Sequence, residues 1–332
     1  MNTKLPTFED VTQAADRLAG HANPTPLLRH TLLDKISGQS LYIKNETAQK
    51  SGAFKYRGAY SRLSLLNADA RKAGVVAFSS GNHAQGVALA AKELGMSATI
   101  VMPNTAPQAK KQGTLSHGAK IVEYDPVTTK REELGAQIAR DEGRTLVKPF
   151  DDRFVIAGQG TCGLEILQQA NGMSVSLDAL ITPMGGGGLC AGINLAVRAL
   201  SPKTKTYGAE PIGYDDHARS LAAGKRISNT AAPLSLCDAL MSPAPGEITF
   251  AINKTHLSGV FVMSDDACLL AMAVAQETLG VTLEPGGAIA LAAILSRRTT
   301  IPLGSNVAIV LSGGNVDPAT TALAHERAQQ FG

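Results

Sequence analysis

The sequence contains no tryptophan, and aromatic residues make up only 4% of its 332 positions. That scarcity argues against a single-stranded nucleic-acid platform, which stacks bases on aromatic rings. A basic footprint is missing too. Lys and Arg number 31 against 28 Asp and Glu, a net charge of +3, and no basic run exceeds Lys110-Lys111 or Arg297-Arg298. No apolar stretch approaches the ~20 residues that a membrane span needs. Met1 to Asp10 is polar, without the apolar centre of a signal peptide. Cysteine is sparse: Cys162, Cys190, Cys237 and Cys268 lie far apart, with no Cys-x-x-Cys and no Cys/His cluster. They read as buried free thiols of a reducing compartment. These absences leave a cytoplasmic globular enzyme, with no nucleic-acid or membrane partner, as the expectation.

Glycine is abundant, with 33 residues, while 44% of the chain is hydrophobic and 18% charged. The length is too great for one comfortable core, so two domains are expected. Short apolar strands alternate with helical patterns. Strands are expected over 75–78, 98–102, 120–124 and 145–148, with helices over 82–94, 107–116 and 130–140 between them. A second series sets a helix over 160–169, strands over 179–183 and 206–209 and a helix over 191–200. Helices over 266–279 and 288–296 and a strand over 307–311 complete it. The pattern predicts α/β units with parallel sheets, and an active site in the cleft at the C-terminal ends of the strands.

Four segments carry chemistry. Gln49-Lys50-Ser51-Gly52-Ala53-Phe54-Lys55-Tyr56-Arg57-Gly58 sets a lysine beside an aromatic ring, between glycines, with an arginine two residues on. A lysine that forms a Schiff base must lose its charge to be nucleophilic, and such a setting suits it; an exposed lysine at a helix start is the plain alternative. Gly185-Gly186-Gly187-Gly188 lies between a strand and a helix, where inward N–H groups and the helix N-terminus suit a phosphate. Within that run Gly186, Gly188 and Ala191 also fit G-x-G-x-x-A, and Glu210 stands where a ribose-binding acid would. An NAD-dependent oxidoreductase is therefore a competitor, and a silent ligand-binding protein another. Ser79-Ser80-Gly81-Asn82-His83 gathers hydroxyls, an amide and an imidazole at a helix start, a group able to hold a carboxylate. Ser312-Gly313-Gly314-Asn315 puts a hydroxyl directly after a strand.

In this order and at these separations, from Thr25-Pro26-Leu27 through Ser312 to Asp317, the segments resemble the threonine dehydratase and serine racemase family of pyridoxal-phosphate (PLP) enzymes. The resemblance implies fold type II, like the tryptophan synthase β subunit: two domains with twisted, mainly parallel sheets flanked by helices. Residues 1–69 and 148–332 would form a large PLP-binding domain, and residues 70–147 a small one. Lys55 would carry the cofactor as a Schiff base, Phe54 would pack beside it and Asn82 would bond its ring hydroxyl. Gly185, Gly186, Gly187 and Gly188 would cradle the phosphate. Ser312 would face the pyridine nitrogen and leave it largely unprotonated.

Ser79, Ser80 and His83 would face the substrate carboxylate, with Lys55 and Ser80 on opposite faces of the ring. Arg131 matches an arginine that binds substrate acids in some members, though a solvated helix charge explains it equally. Glu210, Asp216 and the Tyr214 carbonyl resemble the family's divalent cation site, an all-oxygen set suited to Mg²⁺ or Ca²⁺. The implied reaction is elimination of water from L-serine, L-threonine or a similar β-hydroxy amino acid, giving a 2-oxo acid and ammonia. An amino-acid racemase and a dehydratase of hydroxyaspartate or phenylserine are the alternatives, and a homodimer is implied by resemblance alone. Three departures bear on the pocket: Ala53 in place of serine, Ala239 after Asp238 in place of glycine, and a varied Glu284-Pro285-Gly286-Gly287.

Overall fold

The computed structural model describes residues 4–230 and 233–331. Its strands are β1 (Leu27–Leu28), β2 (Ser40–Asn45), β3 (Val75–Phe78), β4 (Ala98–Pro103) and β5 (Lys120–Tyr124). They continue with β6 (Thr145–Leu146), β7 (Ala179–Pro183), β8 (Lys205–Pro211), β9 (Leu257–Met263) and β10 (Asn306–Leu311). One sheet runs β1-β2-β10-β7-β8-β9 and draws its strands from both ends of the chain; the other runs β5-β4-β3-β6. All pairings between these strands are parallel except β1 with β2.

The central strands β3, β7 and β10 read as largely apolar runs because both of their faces are covered. Val307, Ile309 and Leu311 enter one core with Leu41, Ile43 and Ile181, while Ala308 and Val310 enter another with Tyr42 and Leu180. In the smaller sheet Val75 and Ala77 point one way and Val76 and Phe78 the other. The helix Pro285–Leu295 is buried from Pro285 to Ile294, so it is a core element with no solvent face.

Two elements differ from expectation for visible reasons. The helix expected over 160–169 spans Arg153–Gly172, started by Asp152, whose Oδ1 accepts from the N–H groups of Phe154 and Val155 at 2.8 and 3.1 Å. Gly158 and Gly160 dilute its helical pattern, but packing requires them. A Cβ on Gly158 would stand 2.6 Å from the Arg57 carbonyl, and one on Gly160 would stand 2.8 Å from that of Gly192. Strand β2 was hidden by Lys44 and Asn45, polar residues that the fold nonetheless buries.

Ser79 follows β3, Gly185 lies just past β7 and Ser312 follows β10. The C-terminal ends of central strands from both sheets thus meet at one cleft, the usual ligand position in parallel α/β structures.

Candidate active site

Lys55 opens the helix Lys55–Leu63, with Phe54 immediately before it. Its Nζ donates to the Pro149 carbonyl at 2.8 Å and lies 5.1 Å from the centre of the Phe54 ring. Burial lowers its pKa to about 8, with the nearby Glu284 opposing. A buried cationic amine at a helix N-terminus is disfavoured on both counts, so a neutral nucleophile is within easy reach near neutral pH.

The backbone beneath Lys55 is fixed from two sides. A Cβ on Gly86, in the helix Asn82–Glu93, would come within 3.1 Å of the Lys55 carbonyl carbon, so any larger residue would push on that backbone. Arg57, part of the suspicious lysine setting, faces away from the cleft chemistry. It is fully buried and grips Glu46 through Nε and Nη2, both at 2.8 Å, and Glu165 through Nη1 at 2.5 Å and Nη2 at 2.9 Å. Lys44 completes the cluster through Glu165 at 2.7 Å. This network ties the Lys55 helix to β2 and to the helix Arg153–Gly172.

Gly185 to Gly188 run from the end of β7 into the helix Gly188–Leu200 and line the cleft. Each glycine has protein behind it. A Cβ on Gly186 would stand 2.4 Å from the Phe150 ring, and one on Gly185 would stand 2.9 Å from the Leu240 Cα. Gly187 has φ +88° and backs onto His217. The run is therefore demanded by close packing as well as by the helix N-terminus that it presents to the cleft. That run, closely backed by protein and lining the same cleft as Lys55, fits a phosphate-bearing cofactor.

The cleft also gathers Ser79, Ser80, Asn82, His83, Arg131 and Ser312, with Phe54 beside them. Their states differ in detail from the roles expected. Asn82 already spends both ends of its amide, donating to Glu284 Oε1 at 2.5 Å and accepting from Asn315 at 2.8 Å. His83 is buried, its Nε2 bonded to the Val147 carbonyl at 3.1 Å; burial, with Lys55 adding to it, drops its pKa to about 3. It is a neutral wall residue. Arg131 begins the helix Arg131–Asp141, pairs with Glu132 at 2.9 Å and stays 38% exposed at the rim. Ala239 is in the cleft wall, whereas Ala53 is fully buried and bridged to Gly313, outside the lining. The Ala53 departure therefore does not reach the substrate directly.

Sequence reasoning assigned no role to three cleft residues. Glu284 is buried, and burial and then Asp238 push its pKa up to about 7. Lys110 reaches across from the helix Gln108–Leu115 to pair with Asp238, and both line the cleft. Phe150 closes its floor against Gly186. Glu284 was visible as an unusual Glu-Pro-Gly-Gly segment; Lys110 looked like ordinary surface charge.

Glu210 and Asp216 come together away from the cleft, with His217 as a third member: one potential ligand atom from each lies within 4.8 Å of the others. Tyr214 sits in the turn between them, its N–H donating to the Pro211 carbonyl at 3.0 Å. Burial and then the Asp216 charge raise Glu210 well above the carboxylate range, and burial raises Asp216 to about 6. Two buried carboxylates, one held neutral in part by the other's charge, make a donor set that a divalent cation suits. Glu210 accepts from the backbone N–H groups of His217 and Ala218, both at 3.0 Å, so its carboxylate is turned into a helix start and not toward a ribose site.

A cleft at the C-terminal strand ends, a buried lysine with a lowered pKa and a glycine run at a helix start are the features of a cofactor-dependent α/β enzyme. The chain belongs to the family of pyridoxal-phosphate dependent enzymes, whose family model matches residues 18–313. It is 41% identical over 313 residues to the L-threo-3-hydroxyaspartate ammonia-lyase of Saccharomyces cerevisiae, covering 94% of each chain. It matches the structure of maize serine racemase with a TM-score of 0.91 and 35% identity, covering 99% of both chains. It matches the crystal structure of the T.th. threonine deaminase with a TM-score of 0.89 and 42% identity, covering 94% of this chain and 99% of that one. The architecture is fold type II, and the G-x-G-x-x-A match is a by-product of the glycine run. All four cysteines are buried free thiols, and among the described residues no helix is long and apolar enough to cross a membrane.

Proposed function

We propose that the protein is an ammonia-lyase acting on a β-hydroxy amino acid that bears a second carboxylate, of the 3-hydroxyaspartate type. The observation that carries this reading is that two cationic side chains, Arg131 and Lys110, line the same cleft as Ser79 and Ser80, each held by a single acidic partner, Glu132 and Asp238. L-Serine and L-threonine, the first substrates suggested by the sequence, offer neither cation a partner. The kinship to a hydroxyaspartate ammonia-lyase supports the same choice.

In this reading Ser79, Ser80 and the start of the helix Asn82–Glu93 hold the α-carboxylate, and Arg131 and Lys110 hold the distal one. Pyridoxal phosphate, when bound, supplies an electron sink for the charge that develops at Cα. The glycine run would hold its phosphate, and Ser312 and Phe54, which line the same cleft, would contact its ring. Lys55, neutral as a free amine, takes the proton from Cα. The β-hydroxyl then leaves as water, and the released enamine hydrolyses to a 2-oxo acid and ammonia. Ser80, facing the other side of Cα, sets the balance between elimination and return of a proton with inversion. Glu210 and Asp216, with the Tyr214 carbonyl, would hold a divalent cation as a structural support, remote from the bond that breaks.

The test is a panel of the threo and erythro, L and D forms of 3-hydroxyaspartate beside L-serine, L-threonine and L-phenylserine, scored for both 2-oxo acid and inverted enantiomer. The reading predicts the highest kcat/KM for a 3-hydroxyaspartate isomer, with 2-oxo acid as the main product. A preference for serine or threonine, or inversion exceeding elimination, would overturn it.

A further inference from the structure

His217 is the one histidine whose two ring nitrogens are both buried and both without a hydrogen-bond partner among the described residues. Its ring is fully enclosed. The Gly185 and Gly186 backbone lies against the ring within loose hydrogen-bond reach, but no contact there meets the geometry of a formed hydrogen bond. Beside it Asp216 Oδ2 is also buried and unpartnered, while Asp216 Oδ1 is held by Asn229 Nδ2 at 2.7 Å. A buried polar atom without a partner is costly, and adjacent ones call for a shared explanation.

The three ligand atoms of Glu210, Asp216 and His217 fall within 4.8 Å of one another, a spacing that one ion can span. We infer that His217 is a nitrogen ligand of the divalent cation site, which makes the site a mixed nitrogen–oxygen set selective for a first-row transition ion over Mg²⁺ or Ca²⁺. This deepens the cation site proposed above, where only oxygen donors were considered. A neutral imidazole binds Mn²⁺, Co²⁺ or Zn²⁺ readily and adds little for Mg²⁺ and Ca²⁺, which prefer oxygen. Asn229 fixes the Asp216 carboxylate, as an outer partner of a ligand does, and the backbone N–H groups of His217 and Ala218 fix Glu210.

The Cε1–Nε2 edge of the same ring lies under Gly187: a Cβ there would stand 2.6 and 2.7 Å from these two atoms. An ion bound by His217 would thus lie behind the glycine run, outside the cleft lining and one side chain away. Its binding would also stiffen the cradle, a consequence open to measurement as slower loss of cofactor.

The experiment uses the holoenzyme, stripped of metal by a chelator and titrated separately with MnCl₂, ZnCl₂, MgCl₂ and CaCl₂. Thermal melting and equilibrium dialysis with metal analysis give the affinities. Mn²⁺ or Zn²⁺ should bind at least about tenfold more tightly than Mg²⁺ in the wild type. His217→Asn should erase most of that ratio while Mg²⁺ affinity changes little. His217→Cys, which restores a soft donor of small size, should bring back the preference for Zn²⁺. A wild type that prefers Mg²⁺ or Ca²⁺, or variants with an unchanged Mn²⁺ to Mg²⁺ ratio, would overturn the nitrogen ligand and leave the all-oxygen site standing. No binding of any of the four ions would overturn both.

Discussion

Asn82 donates to Glu284 at 2.5 Å, joining the helix that follows β3 of the small sheet to the start of the buried helix Pro285–Leu295. This bond crosses the cleft between the two sheets, within the electrostatic reach of Lys55. Because the carboxyl is buried near Asp238, it holds its proton to about pH 7, against an ordinary value of 4.5.

That shift has a stability consequence with a definite sign. The folded-state pKa is raised, so the contribution is fully present below about pH 4.5 and is lost as pH rises through 7. A shift of this size corresponds to about 3 kcal/mol. Glu284→Gln keeps an acceptor for Asn82 but cannot ionise. Its apoprotein should therefore show a flatter melting profile between pH 5 and 8 than the parent, and greater relative stability at pH 8. Parallel profiles would contradict the raised value.

Arg57 offers a second measurement. Replacing it with methionine leaves Glu46 and Glu165 facing each other without their shared cation, the arrangement in which loss of a buried partner costs most. Urea unfolding should register a loss of about 3–5 kcal/mol. The double change Arg57→Met with Glu46→Leu should lose less than the sum of the two single changes. Additive losses would mean that the cluster is not coupled.

Gly186→Ala tests the cradle. The added methyl meets the Phe150 ring, so overpacking should cost about 1–3 kcal/mol and weaken cofactor retention. A second change, Phe150→Ala, should recover part of both by vacating the contested space. Unaltered cofactor affinity in Gly186→Ala would separate the glycine requirement from phosphate binding.

Arg131→Leu probes the distal carboxylate. Loss of one charge-assisted hydrogen bond is worth about 1.5–3 kcal/mol, or roughly 10- to 100-fold in KM for 3-hydroxyaspartate. KM for L-serine should barely move. Equal effects on the two substrates would assign Arg131 to its pair with Glu132 and to the helix start.

How far the sequence could be read depended on whether the signal was local. Strands β3 and β7 are apolar runs whose bounds match the structure, because burial on both sheet faces writes itself into consecutive residues; the edge strand β5, half-exposed, was found from its short Ile-Val centre. The four glycines, the lysine and the serine clusters were visible for a similar reason: each is a short segment at a strand end. Arg57 was not legible. It sits two residues from Lys55, but its partners Glu46 and Glu165 are 11 and 108 positions away, and only the fold makes it a structural clamp. Lys110 was hidden likewise, since its partner Asp238 is 128 positions distant. His217 stands next to Asp216 in sequence and was passed over because the expected ligand set contained only oxygen.

Everything proposed for the cleft rests on Lys55 as the residue that carries the cofactor. Borohydride reduction of the holoenzyme, followed by proteolysis and mass mapping, tests that role without intermediaries. A pyridoxyl-phosphate adduct is expected on the peptide containing Lys55 and not in Lys55→Ala, which should also purify colourless and inactive. An adduct confined to another lysine, or a coloured and active Lys55→Ala protein, would contradict it.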